Sequence, residues 1–251
     1  MPIHYLRSLT ARNRTGAANR RLGLALAFVA GAANAGGFLA VGQYTSHMSG
    51  IVSALADNLV IGETMLLVGG LSALVAFIAG AAASAMLINW GRRRQAHSEY
   101  AMPLLIEAAL LLVFGFLGSN LEQHRVLFMP ATVALLCFVM GLQNAIITKI
   151  SKAEIRTTHV TGLVTDIGIE LGKLFYWNLG EAHDGTAKVR ADRARLRLLS
   201  SLLGMFVAGA LAGAFGFKHA GFIATVPLAT ILVALAAVPV LDDLRSKSMR
   251  V

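Results

Sequence analysis

Long apolar runs alternate with short polar or basic intervals along the chain. The runs lie at about 22–41, 68–90, 102–118, 127–148, 196–217 and 221–241. A helix rises about 1.5 Å per residue, so roughly 17–25 apolar residues cross about 30 Å of hydrocarbon. The pattern predicts six transmembrane helices. Two further segments, 42–67 and 160–177, are half polar, with Asp57, Asn58 and Glu63 in the first and Asp166, Glu170 and Lys173 in the second. Both are too polar to face lipid.

The two half-polar segments follow the same motif. GAANAGGFLAVGQYTSHMSGIVS at 31–53 reappears as GLQNAIITKISKAEIRTTHVTGLVT at 141–165. Asn34 and Asn144 are 110 residues apart and His47 and His159 are 112 apart, so a two-residue insertion in the spacer accounts for the offset. FIAGA at 77–81 likewise resembles FVAGA at 206–210. A period of this length marks an internal duplication. Gly80 with Ser84, and Gly209 with Gly213, place small residues four apart, the spacing that lets membrane helices approach closely. The triplet Ala33-Asn34-Ala35 looks like a signal-peptidase site. The same Asn-Ala recurs deep in the chain at 144–145, so Asn34 is read as part of the fold.

Composition agrees with a bilayer as solvent. Of 251 residues 56% are hydrophobic and only 14% are charged, against about 25% in soluble domains. The net charge of +9 sits in short runs between apolar blocks. If the half-polar segments do not cross, the basic runs at 1–21, 92–94, 149–156, 173–197 and 245–250 fall on one side. The other side then holds only Arg125 and Lys218. That is the positive-inside distribution, and it puts both termini in the cytoplasm. Three spans per copy make the second copy upside-down relative to the first. The expected fold is an all-α membrane protein of six helices in two inverted three-helix repeats, with re-entrant or half-inserted polar segments. Residues 1–21 form a basic arm, 22–125 the first repeat, 126–242 the second with a cytoplasmic loop at 178–195, and 243–251 a basic tail.

Candidate chemistry concentrates in the motifs. Gly50 and Gly162 are expected to permit a tight turn into each half-helix. Ser49 and Thr161, or Thr45 and Thr157, are expected to cap the free N–H groups at its start. Helix N-termini arriving from opposite faces would give a site of positive potential. There the His47 and His159 imidazoles hydrogen-bond a solute or relay protons. Asn34, Thr45, Ser46, His47, Ser49, Gly50 and Asn144, Thr157, Thr158, His159, Thr161, Gly162 form the candidate solute site. A purely structural part is the competing reading: the histidines tie helices together, and Asn34 and Asn144 join the halves at their pseudo-twofold axis. Glu107, alone among apolar residues, is a candidate proton carrier, or else a carboxylate reaching the interface. Asp166 and Glu170, one turn apart, are further candidates for proton coupling, on a face that lines a cavity or meets solvent.

The motif residues Asn34-Ala35, Thr45-Ser46-His47-Met48-Ser49-Gly50, Gln143-Asn144-Ala145 and Thr157-Thr158-His159-Val160-Thr161-Gly162 resemble the YoaK family. The likeness covers about 20–242 and implies a bacterial inner-membrane protein with about six helices and no assigned function. The sequence shows no phosphate loop, nucleophile elbow or His-Glu-x-x-His pair. The expectation is therefore a non-enzymatic transporter or channel for a small solute, with no metal or cofactor and the lipid bilayer as its surroundings. Small-residue faces are compatible with a homodimer. No basic-aromatic nucleic-acid patch is present. The alternatives are a membrane scaffold or regulatory subunit binding a protein partner and, third, an intramembrane enzyme acting on a lipid-soluble substrate.

Overall fold

The computed structural model describes residues 15–94, 99–119, 125–151, 157–177 and 188–248. Most of the basic arm, the cluster at 152–156, the loop at 178–187 and the chain end at 249–251 lie outside the described residues. The helices are α1 (Gly16–Val41), α2 (Met48–Ile61), α3 (Thr64–Arg93), α4 (Ala101–Ser119), α5 (Arg125–Ile150), α6 (Val160–Phe175), α7 (Arg193–Ala220) and α8 (Thr225–Ser248). A 3₁₀ turn, Gly221–Ala224, joins the last two. No strand occurs among the described residues.

Among the described residues, five helical stretches are long and apolar enough to cross a membrane: Gly16–Val41, Thr64–Arg93, Ala101–Ser119, Phe128–Ile150 and Arg193–Ala237. The last contains both α7 and α8, bent where Gly221 takes φ 60°. The chain is therefore a multi-pass membrane protein. The 30-residue α3 begins four residues before the predicted run, because Thr64 and Met65 extend the helix beyond its most apolar part. The turns into and out of the first half-polar segment use Gly42 at φ 73° and Gly62 at φ 86°. Each ends a helix in the left-handed region, where a Cβ is penalised, and donates its N–H back to Phe38 O and Asn58 O respectively.

Glycine decides which helices pack together. Gly209 and Gly213 of α7 lie against the backbone of Phe28 and Ala32 in α1, and Gly31 of α1 lies against Phe206. Gly80 of α3 lies against the backbone of Phe138 in α5, and Gly141 of α5 lies against Phe77. A methyl group at any of these glycines would overlap a carbonyl of the facing helix. In lipid, where apolar burial adds little, such close approach supplies the packing contact. The two sets of contacts use the same positions. Phe28 and Phe138 are 110 residues apart, as are Gly31 and Gly141, while Gly80 and Gly209 are 129 apart, as are Phe77 and Phe206. The first long helix of residues 22–125 thus packs against the second long helix of residues 126–242, and the reverse holds for α5 and α3. The register keeps α1 parallel to α7 and α3 parallel to α5.

One end of the bundle collects positive charge. Asn19 Nδ2, at the start of α1, donates to Ile150 O at the end of α5 (3.4 Å). Lys149 Nζ donates to Asn89 Oδ1 near the end of α3 (3.2 Å). Arg92 bonds Glu99 (2.9 Å) and the Tyr100 hydroxyl (2.6 Å) at the start of α4. At the opposite end Phe222 meets Phe114 and Phe217 edge to face, Phe114 and Phe217 are tilted by 36°, and the cluster covers Gly36 and Gly118.

Candidate functional site

Asn34 and Asn144 each lie three residues beyond the glycine contact of their helix, about 4.5 Å along the axis. Asn34 Oδ1 accepts from both the N–H and the hydroxyl of Ser46 (3.3 and 2.9 Å). Asn144 Oδ1 accepts from the Thr158 hydroxyl (2.7 Å), and its Nδ2 donates to Met140 O (3.1 Å). These bonds tie the residues just before α2 and α6 to the helix that precedes them. The asparagines do not join the two halves to each other. Each ties the motif of its own copy, because the loop that follows needs an acceptor more than the helix does.

Both motifs open on one cavity of about 1200 Å³. Asn34, Tyr44, Ser46, His47 and Ser49 line it from one copy, and Asn144, Thr148, Thr158, His159 and Thr161 from the other. Phe77, Phe206, Val207 and Leu211 give it apolar walls. Among the described residues no Asp, Glu, Lys or Arg lines it. His47 and His159 are the N-caps of α2 and α6, and neither helix has a side-chain hydrogen bond at its start. The expected capping by Ser49 and Thr161, or by Thr45 and Thr157, is therefore not made. Ser49 and Thr161 face the cavity instead. Thr45 and Thr157 are fully buried, and their hydroxyls have no partner. Gly50 and Gly162 also differ from expectation. Neither has positive φ; a Cβ there would strike the ring of His47 or His159. These glycines make room for an imidazole folded over the first turn, and Gly42 supplies the backbone freedom.

A second cavity of about 680 Å³ shares His159, Thr161 and Gly162 with the motif and reaches the charged end at Arg20, Asp166, Asp192 and Arg195. Arg195 Nη2 bonds Asp166 Oδ2 (3.0 Å). Asp166 lines this cavity and is partly exposed. Glu170 does not: it is buried, bonded to Lys173 Nζ (2.8 Å) and to the Asp192 N–H (2.8 Å). The Lys173 ammonium, then the Asp192 N–H, hold its carboxyl below the usual range. Asp192 in turn accepts the N–H groups of Arg195 and Ala194 at the start of α7 (3.0 and 2.9 Å), which lowers its carboxyl as well.

Glu107 is fully buried and does not reach the interface. It lines neither cavity; Gln143 Nε2 donates to its Oε1 (2.7 Å). Sequence reading singled out Asn144 and passed over its neighbour Gln143. A buried amide in one span and a lone carboxyl in another was the available signal. Among the described residues no group of three or more His, Cys, Asp or Glu is placed to hold a metal.

A family model described as a protein of unknown function (DUF1275) matches residues 22–238. No curated protein and no solved structure matches the chain.

Proposed function

The chain belongs to the DUF1275 family, whose description carries no activity, and from that premise we propose that it passes a small solute across the bacterial inner membrane. The fold read here is six spans in two inverted copies, with α2 and α6 as half-helices entering from opposite faces. The cationic end is the cytoplasmic one, in keeping with the positive-inside rule. The observation that carries the reading is the single cavity touched by both motifs. Helices locked together through dry, satisfied histidines would leave no such space.

The chemistry follows from the lining. The starts of α2 and α6 carry N–H groups without a side-chain partner. Each helix end contributes about half a positive charge. The two imidazoles and the hydroxyls of Tyr44, Ser46, Ser49, Thr148, Thr158 and Thr161 supply donors and acceptors, and the phenylalanines supply apolar surface. The cavity suits a solute with a polar head, neutral or negative, and a small apolar body. Such a molecule, bound through Ser46, His47, Thr158 and His159, would reach the cytoplasmic end past His159 and Thr161, which border both cavities. Alternating exposure would then require one pair of long helices to rock against the other about the glycine contacts.

The test is a thermal-shift screen of purified protein against metabolites and ions, repeated with His47→Ala and His159→Ala. A ligand at a hundred times its Kd stabilises the native state by about 2.7 kcal/mol. A ligand-dependent shift lost in both variants, with solute flux in vesicles lost alongside it, supports the reading. A shift and flux unchanged in both variants reject it.

A further inference from the structure

The Glu107–Gln143 pair holds two buried oxygens that their hydrogen bond does not satisfy. Gln143 Nε2 donates to Glu107 Oε1, but Glu107 Oε2 and Gln143 Oε1 have no partner. Both residues are fully buried. As a carboxylate, Glu107 can only accept, so Glu107 Oε2 and Gln143 Oε1 cannot satisfy each other. A proton on Oε2 changes this. The carboxylic acid then has a donor to offer the amide oxygen, and the amide already donates to the other carboxyl oxygen. An acid and a primary amide can satisfy each other through two antiparallel hydrogen bonds.

Among the described residues no cation is placed to hold a carboxylate. Glu107 is the sole titratable residue of α4. α8, packed along α4, has none before Asp242. On α5, the Cys137 thiol belongs to a separate apolar cluster with Ile51 and Ala73, and Lys149 bonds Asn89. On α3, Arg92 bonds Glu99 and Tyr100, and Arg93 lies at the helix end beside it. A charge buried without a partner in a membrane helix is expensive.

We propose that Glu107 and Gln143 form a proton-binding site, and that its state is passed to the cavity through Asn144. When the proton leaves, the Oε2–H bond breaks and the proton goes to water. The carboxylate keeps one donor and repels the amide oxygen, so Gln143 must turn. Asn144 is the next residue on α5, and its Oδ1 holds Thr158 beside His159. Only the link to the cavity rests on the solute-passage reading; the proton site does not.

Infrared spectra of the purified full chain at neutral pH read the proton directly. Wild type should show a carboxylic-acid carbonyl band that shifts in deuterated water and is missing in Glu107→Gln. Gln143→Leu should move that band by removing its hydrogen bond while the protein stays folded. Equal spectra for wild type and Glu107→Gln overturn the site, and so does a band that Gln143→Leu leaves in place. The link is read with a cysteine at Ala35, which lines the cavity, in Cys137→Ser protein. Its rate of reaction with a water-soluble maleimide is followed against pH. The profile should differ between Glu107 and Glu107→Gln backgrounds; superimposed profiles overturn the link. Neither measurement uses a solute, so a failed ligand screen would count against passage alone.

Discussion

Glycine at the helix crossings can be tested with a matched pair on α7. Gly204 has no atom within 4 Å of the position a Cβ would take, whereas a Cβ at Gly209 would run into the carbonyl of Phe28. Replacing either by alanine raises helix propensity by the same amount, about 1 kcal/mol. That gain cancels when the two variants are compared. What remains is the cost of forcing α1 and α7 apart. Overpacking a filled core costs about 1–3 kcal/mol, and here the obstacle is backbone, which cannot rotate away. Gly209→Ala should therefore be less stable than Gly204→Ala by about 1–3 kcal/mol. Reversible unfolding of the purified protein by SDS in mixed micelles would measure it. Gly80→Ala, which meets Phe138 in the same way, should lose a similar amount. Equal stability of Gly204→Ala and Gly209→Ala would refute close backbone contact, and a harmless Gly80→Ala would refute the equivalence of the two copies.

Asn34→Ala and Asn144→Ala should each cost about 1 kcal/mol for a lost buried hydrogen bond, read by the same unfolding assay. Gly50→Ala should displace the His47 ring and reduce any ligand-induced melting shift as His47→Ala does, with Gly172→Ala, which meets open space, as the silent control. Glu170 and Asp192 both titrate below the usual carboxylate range in the folded protein. The stability they give the α6–α7 corner is complete above that range and is lost as pH falls through the depressed values. Hydrogen-exchange protection at 160–175 and 192–196, corrected for the intrinsic rate at each pH, should fall there in acid, and pH-independent protection would contradict this. Cys137 is buried, so it should resist a water-soluble maleimide in the folded protein and react once SDS unfolds it.

Much of this arrangement was legible because lipid restricts what a chain can do. Helix limits followed from the apolar runs, and the pairs Gly80 with Ser84 and Gly209 with Gly213 identified the faces that pack. The motif repeat placed His47 and His159 in equivalent surroundings before any coordinates. What escaped depended on side-chain direction. A Gly three residues after His was read as backbone freedom, although Gly50 and Gly162 accommodate the ring. Capping residues were expected at the starts of α2 and α6, where Ser49 and Thr161 turn to the cavity instead. Periodicity gave no hint that Glu107 would meet Gln143, since that contact depends on how α4 lies across α5.

Inversion of the two copies is the claim on which the proposed passage stands. Glu63 follows α2 and Trp177 follows α6, both are exposed, and they close equivalent segments of the two copies. A cysteine at each position, in Cys137→Ser protein, can be labelled in intact cells and in inverted vesicles with a reagent that does not cross membranes. The account predicts that Glu63→Cys reacts from the outer face and Trp177→Cys from the cytoplasmic face. Labelling of both from the same face would contradict it.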